Sequence, residues 1–304
     1  MASSSPVPET RYHARSISMP TRSHPNTLQI DEALKKLKSL ETPQTLKSEA
    51  ICVRLSHLVE LYNSFQDLLQ VPLTQKAIVR IQDEKWVSDA LDGSIRLLDL
   101  CGVAKDILMQ MNEHVKDLQS VLRRRGGDSG VEAKIGSYVT FRTKMKKDIN
   151  KYLKELKRTG TDKQSPDFSI ISHQDHDHLQ KVITVLGEVR TITISIFQSL
   201  VSYMQPLKAK VTSRWSLASK LMPKGKVACE GQHEDMSEVE CVDVAVDSLY
   251  RHFSSKHAGL EIVQKVQRGL ESLEASIEGL ENGLECTFRQ LIKTRVSLLN
   301  ILSH

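Results

Sequence analysis

The chain has 304 residues, of which 39% are hydrophobic, 5% aromatic and 26% charged, and it contains only 14 glycines and 9 prolines. This composition excludes collagen-like chains, disulfide scaffolds and turn-dense β-sandwiches, and the length fits one extended helical domain or two ordinary domains. The five cysteines stand far apart and never form a C-x-x-C pair, which favours a reducing compartment. The formal net charge of +5 conceals two regions of opposite charge.

Residues 1–27 are predicted to form a disordered tail, because they contain nine Ser or Thr, three Arg and a single acidic residue. Within the tail, Arg15, Ser16, Ser18 and Pro20 belong to an R-S-x-S-x-P string that resembles a docking motif for 14-3-3 adaptors. Phosphorylation of Ser18 would add negative charge and acceptor oxygens that an arginine cluster on a partner can bind. A plain solvated tail and an organelle transit peptide are the alternatives, since transit peptides are also rich in Ser and Arg.

Residues 28–304 are predicted to form one helical domain, because apolar residues recur there at steps of three and four. The first stripe, in residues 46–69, ends at Pro72, and a second pattern runs from Thr74 to Arg125. A third helix is predicted over residues 131–156. Loops are expected near residues 126–130, 159–172 and 223–235.

The third predicted helix carries cations on the side opposite its apolar stripe: Lys144, Lys147, Lys151, Lys154 and Arg158. Residues 123–158 contain twelve basic and four acidic residues, whereas residues 230–289 contain five basic and thirteen acidic residues. The cationic face is therefore a candidate for contact with an anionic membrane surface, with nucleic acid, or with the acidic C-terminal helix. A solvated surface is the simplest alternative, and nucleic acid is disfavoured because no exposed aromatics are interleaved with the cations.

Two segments could be assigned to structures other than a soluble helix. Residues 191–196 alternate like a strand, but no second strand-like run exists to pair with them, so a helix is predicted. The uncharged stretch at residues 191–207 falls short of a bilayer span because polar residues and Pro206 interrupt it, and a buried helix is the better interpretation.

A heptad seam defines the C-terminal helix. Twelve residues alternate steps of three and four: Val263, Val266, Leu270, Leu273, Ile277, Leu280, Leu284, Thr287, Leu291, Thr294, Leu298 and Ile301. The seam predicts a long core helix of a monomeric bundle, and the alternative is a homodimeric coiled coil.

Neither a catalytic nor a metal-binding motif is found. The cluster at residues 173–178 is rich in His and Asp but contains no H-E-x-x-H, and a solvated helix start is favoured over a structural metal site. The glycines at residues 126–130 are not followed by a P-loop lysine. We therefore predict a non-enzymatic protein with no cofactor and no metal.

Several stretches together resemble a plant-specific family, domain of unknown function 241, which includes the Bypass proteins. The resemblance is carried by residues 13–20, 22–25, 68–75, 85–125 and 144–157, the longest of which reads KWVSDALDGSIRLLDLCGVAKDILMQMNEHVKDLQSVLRRR. It implies a role in root and shoot development and in control of a root-derived mobile signal. The family has no established biochemical activity, so the resemblance assigns no site residues.

The sequence as a whole predicts an all-α, elongated multi-helix bundle with a long C-terminal helix behind the tail. The expected function is that of a cytoplasmic interaction or adaptor protein with peripheral membrane contact, phospho-dependent docking at Ser18 and unknown protein partners. A nucleic-acid-binding regulator is the main alternative, and an enzyme of unknown class is a remote one.

Overall fold

The computed structural model describes residues 25–40, 47–81, 85–124, 128–161, 173–205, 236–254 and 260–303, and it confirms the predicted all-α class. These residues form eight helices: α1 (Pro25–Ser39), α2 (Ser48–Leu69), α3 (Pro72–Arg80), α4 (Lys85–Arg123), α5 (Asp128–Thr161), α6 (His173–Met204), α7 (Glu238–Ser254) and α8 (Leu260–Leu302).

Five long helices form a closed ring around the core. Helix α8 packs against α2 and α4, α4 packs against α5, α5 against α6, and α6 returns to α2. Helix α7 covers α8 and reaches α5, while α1 lies on α2 and α6. All eight helices contribute apolar residues to one continuous core.

The heptad seam explains the central place of α8, a helix of 43 residues. Every seam residue from Val266 to Ile301 is buried inside the protomer, and Val263 is partly buried. The prediction of a core helix is therefore confirmed, and the seam is not available for a coiled coil with a second chain. At 1.5 Å per residue, α8 is about 64 Å long, which makes the bundle elongated.

Several predicted boundaries differ from the structure. Helix α1 begins at Pro25, so the predicted end of the tail at residue 27 is wrong and residues 25–27 are helical. Proline suits the first helical position because its missing N–H needs no partner there. The same preference explains why Pro72 opens α3. Helix α3 ends at Arg80 and α4 begins at Lys85, so the second predicted pattern covers two helices. Helix α5 extends into both predicted loops, over residues 128–130 and 159–161.

Helix α6 contains the strand-like residues 191–196, so the helical prediction is confirmed. Thr191 and Thr193 donate hydroxyl hydrogen bonds to the carbonyls four residues earlier, at 2.9 and 2.7 Å. Among the described residues, Asp177–Met204 is the one segment long and apolar enough to cross a bilayer. In the bundle its residues Phe197 and Leu200 are fully buried against neighbouring helices.

Candidate functional site

The cationic face of α5 projects away from the core. The opposite stripe of α5 is buried, with Ile149 and Leu156 completely inaccessible. We call the exposed residues Lys144, Lys147, Lys151, Lys154 and Arg158 the lysine face. The apolar stripe determines the orientation of the lysine face, because the cations lie on the opposite side of the helix and face solvent when the stripe is buried.

The four lysines of this face make no ion pair and no hydrogen bond with any described residue. Arg158 is different, since its Nη1 donates to Glu155 Oε2 at 3.1 Å. The positive charge of the lysines is therefore not neutralised within the described part of the chain.

The acidic C-terminal helix pairs with α4 instead of with the lysine face. Lys105 bonds Glu285, Lys116 Nζ lies 3.6 Å from Glu274 Oε1, and Arg123 Nη2 lies 3.2 Å from Glu271 Oε1. These contacts also show that α8 runs antiparallel to α4. The suggested pairing between the third predicted helix and the acidic helix is therefore wrong, because α4 stands between α5 and α8 in the ring.

A groove of about 770 Å³ lies between α4 and α5, beside the lysine face. Its floor consists of Leu100, Ile107, Phe141, Met145 and Tyr152, and its rims are polar. The rims are lined by Arg96, Asp99, Asp106, Gln110 and His114 on α4, and by Ser137, Thr140, Lys144, Asp148, Lys151 and Glu155 on α5. Periodicity shows which face of each helix is apolar, but it does not show that two faces leave a gap.

A buried ion pair ties α5 to α6 and α7. Arg142 is 4% exposed, and its Nε and Nη2 donate to the two carboxylate oxygens of Asp243 at 2.9 and 2.8 Å. Its Nη1 donates to the Met204 carbonyl at 2.9 Å, while Tyr138 donates to Asp243 at 3.0 Å. Burial lowers the pKa of Arg142, but the charge and hydrogen bond of Asp243 together with Tyr138 and Tyr203 outweigh burial, so the pKa is raised.

The position of Arg142 in the amino-acid pattern of α5 indicates this pair. Arg142 follows Tyr138 by four residues and precedes Met145 by three, so it lies on the apolar stripe of α5. Charged residues are rarely buried without a partner, which makes such a position a candidate for a buried ion pair.

A second polar cluster joins the N-terminal ends of α2 and α7. The Ser48 hydroxyl lies 2.8 Å from Glu238 Oε1 and 3.0 Å from the Ser276 hydroxyl, and the Ser48 N–H donates to Glu238 Oε2 at 3.4 Å. Glu238 thus caps α2, whose own preceding residue Lys47 makes no side-chain cap. Burial and the Glu238 charge raise the pKa of the neighbouring Tyr203.

The remaining predicted residues fall into two groups. Arg15, Ser16, Ser18 and Pro20 lie outside the described residues. In the His- and Asp-rich cluster, Asp177 is exposed and His178 Nε2 lies 2.9 Å from the Thr74 hydroxyl. Among the side chains that the structure describes, no group of three His, Cys, Asp or Glu is placed to hold a metal ion.

Comparison with known proteins identifies the family of this chain but does not identify a ligand. Neither the curated proteins nor the solved structures include a match to this chain. The family model described as Protein BPS1 matches residues 54–301, which include the lysine face, the α4–α5 groove and the buried Arg142–Asp243 pair. The chain therefore belongs to the BPS1 family of Bypass-like proteins.

Proposed function

We propose that this protein is a non-enzymatic interaction protein that contacts anionic membrane surfaces through the lysine face. The observation that carries the proposal is that the lysines are exposed and unpaired among the described residues, whereas the acidic helix α8 pairs with α4. Membership of the Bypass-like family supports a setting in plant root and shoot development.

The chemistry of the face favours a membrane over nucleic acid. A lysine close to an anionic bilayer contributes about 1 kcal/mol, so a face of this size gives weak, reversible and salt-sensitive binding. Single-stranded nucleic acid is bound with aromatic side chains on which bases stack. The aromatic residues of α5, which are Tyr138, Phe141 and Tyr152, are 2%, 9% and 3% exposed, so they offer no stacking surface beside the lysines.

Sedimentation of the full chain with vesicles tests the proposal. We expect binding to vesicles containing phosphatidylserine and none to neutral phosphatidylcholine vesicles. Lys147→Glu with Lys154→Glu should abolish binding, because both residues lie on the lysine face but outside the groove. The matched control, Lys35→Glu with Lys36→Glu, makes the same change of charge on exposed residues of α1 and should retain most of the binding.

Two results would refute the proposal. Equal binding to neutral and anionic vesicles would show that charge is not the attraction. Equal loss in both double variants would show that the overall charge of the chain matters and the lysine face does not. Binding to duplex DNA or RNA that persists at physiological salt would instead favour a nucleic-acid-binding regulator.

Docking of the tail is a second part of the proposal and rests on the sequence alone. Arg15 and Pro20 flank Ser18 at the spacing of the 14-3-3 motif. A synthetic peptide of residues 11–24 should bind a 14-3-3 protein only when Ser18 is phosphorylated. Equal binding of the unphosphorylated peptide would contradict this assignment.

A further inference from the structure

Helices α4 and α5 form a hairpin whose outer groove has an apolar floor. They follow each other in the chain and run antiparallel, and their outer sides leave the 770 Å³ groove open. Val103, on the α4 rim, is 45% exposed. Two helical hairpins that join face to face make an antiparallel four-helix bundle, in which the rims meet at the seams. The five floor residues are only 3–9% exposed, so the rims and Val103 supply most of the surface that such a bundle buries.

The register of the hairpin is fixed by three contacts. Tyr152 donates its hydroxyl to the Leu100 carbonyl at 2.9 Å, and the His114 and Phe141 rings stack with centroids 4.0 Å apart. Lys134 bonds Asp117 nearer the connection between the helices. This register places Asp99 level with Lys151, and Asp106 level with Lys144.

The two rims therefore present opposite charges at the same heights. Asp99 and Asp106 lie seven residues apart on the α4 rim, and Lys144 and Lys151 lie seven apart on the α5 rim. All four are exposed, and none of them bonds any described residue, because the groove separates the rims. Asp148 lies between the two lysines, level with Val103, and the rims also carry Arg96 on α4 and Glu155 on α5.

We propose that this groove is a dimerisation face that binds the same groove of a second copy, about a two-fold axis running along the groove. Rotation about such an axis lays α4 of one copy over α5 of the other without a shift along the helices. Asp99 then meets Lys151 of the partner subunit, and Asp106 meets Lys144 of the partner subunit. The axis generates both seams, so each pair forms twice, as an isologous interface requires.

Charge complementarity selects a second copy as the occupant. A foreign helix would need opposite charges on its two flanks at matching heights, whereas this chain supplies both in the required register. The C-terminal seam cannot serve instead because it is buried within the protomer. From Arg96 to His114 the face is about 27 Å long, and a face of this size fits a weak, reversible dimer.

Charge reversal with complementation provides the test, with association measured by sedimentation velocity on the full chain. Wild type should dimerise with a Kd in the micromolar range. Asp99→Lys with Asp106→Lys puts a basic residue at all four seam positions, and Lys144→Glu with Lys151→Glu puts an acidic residue at all four. Each double variant alone should dimerise at least about tenfold more weakly, because every seam pair becomes repulsive.

An equimolar mixture of the two double variants should recover a heterodimer, because a basic rim then faces an acidic rim at both seams. This recovery separates loss of a seam from loss of folding, and circular dichroism should show unchanged helicity for each variant. A wild type that stays monomeric at about 100 µM would overturn the proposal, since a micromolar Kd requires dimers at that concentration. A mixture that stays monomeric would overturn it as well.

Different variants test the proposed dimer and the proposed membrane contact, so one proposal can be refuted without the other. Lys147→Glu with Lys154→Glu should leave the dimer intact, since these residues lie outside the groove, although vesicle binding is lost. Asp99→Lys with Asp106→Lys should weaken the homodimer at least about tenfold without weakening vesicle binding. Loss of the dimer in the Lys147 and Lys154 variant would contradict the assignment of the seams.

Discussion

Arg142 and Asp243 show what one residue pair contributes to this fold. The pair is buried, bidentate and shared by three helices, so removing one partner leaves the other charge without compensation in the core. Glu238 has a comparable role at the N-terminal end of α2, where it supplies the cap that Lys47 lacks.

Asp243→Ala should lower the free energy of unfolding by about 3–5 kcal/mol, because it leaves the charge of the Arg142 guanidinium buried without its carboxylate partner. The control is Asp247→Ala, one turn further along α7, which removes an exposed ion pair with Arg251 at 2.6 Å. That change should cost less than about 1 kcal/mol. Urea denaturation measures both, and similar costs for the two variants would contradict the role given to the buried pair.

The buried thiol of Cys101 makes the free energy of unfolding depend on pH in the alkaline range. Burial raises its pKa from 9.0 to about 12, so the folded chain holds the thiol proton more tightly than the unfolded chain does. The stabilisation is complete below pH 9 and is lost as the pH rises from 9 towards 12. Buried Tyr62 and Tyr138 have raised pKa values too and act in the same direction above pH 10.

Between pH 8 and pH 10, Cys101 alone should reduce the free energy of unfolding by about 1 kcal/mol. Cys101→Ala removes this contribution, so its unfolding free energy should fall less steeply over the same range. The comparison uses urea denaturation of both proteins at several pH values. Parallel pH profiles would show that the Cys101 thiol is not the titrating group.

At the level of the helices, α8 approaches α2 closely enough to require glycine. A Cβ atom built on Gly283 would lie 2.9 Å from Leu55 Cδ1 and 3.2 Å from Leu55 Cβ. Gly279 meets Cys52 in the same contact, with 3.4 Å between the built Cβ and Sγ. The two helices run parallel here, as the pairing of Ser48 with Ser276 shows.

Gly283→Ala should therefore destabilise the protein by about 1–3 kcal/mol through overpacking, although alanine favours helix more than glycine by about 1 kcal/mol. Gly102→Ala in α4 is the matched control, because its Cβ would meet nothing within 4 Å. We expect that change to stabilise the protein by about 0.5–1 kcal/mol. Thermal unfolding should shift in opposite directions for the two variants, and a shift in the same direction would contradict the close contact.

Sequence periodicity predicted the faces of the helices but not their neighbours. The seam of α8 and the lysine face of α5 repeat every three or four residues, so local spacing was sufficient to identify them. Contacts such as Arg142 with Asp243 join residues about a hundred positions apart, and no local pattern encodes that pairing. The α4–α5 groove was missed for the same reason, since it depends on how far apart two helices stand.

For the molecule as a whole, charge is divided between folding and binding. The ion pairs of Lys105, Lys116 and Arg123 with α8 are internal to the bundle and link two long core helices. The lysine face does not link helices in this way, since its lysines make no ion pair with any residue that the structure describes. These lysines lie three or four residues apart. Like charges at that spacing repel each other on a helix.

Neutralising lysines of the lysine face and neutralising the lysines that pair with α8 should therefore affect the free energy of unfolding differently. Lys147→Gln with Lys154→Gln should leave the free energy of unfolding within about 0.5 kcal/mol of wild type, or raise it, because repulsion is relieved. Lys105→Gln with Lys116→Gln should lower it by about 0.5–1 kcal/mol, because two partly exposed ion pairs are lost. Urea denaturation at low and high salt measures both, and salt should reduce the cost of the second change. A large loss of stability in the Lys147 and Lys154 variant would mean that these charges serve the fold, which would remove the basis for assigning them to a membrane.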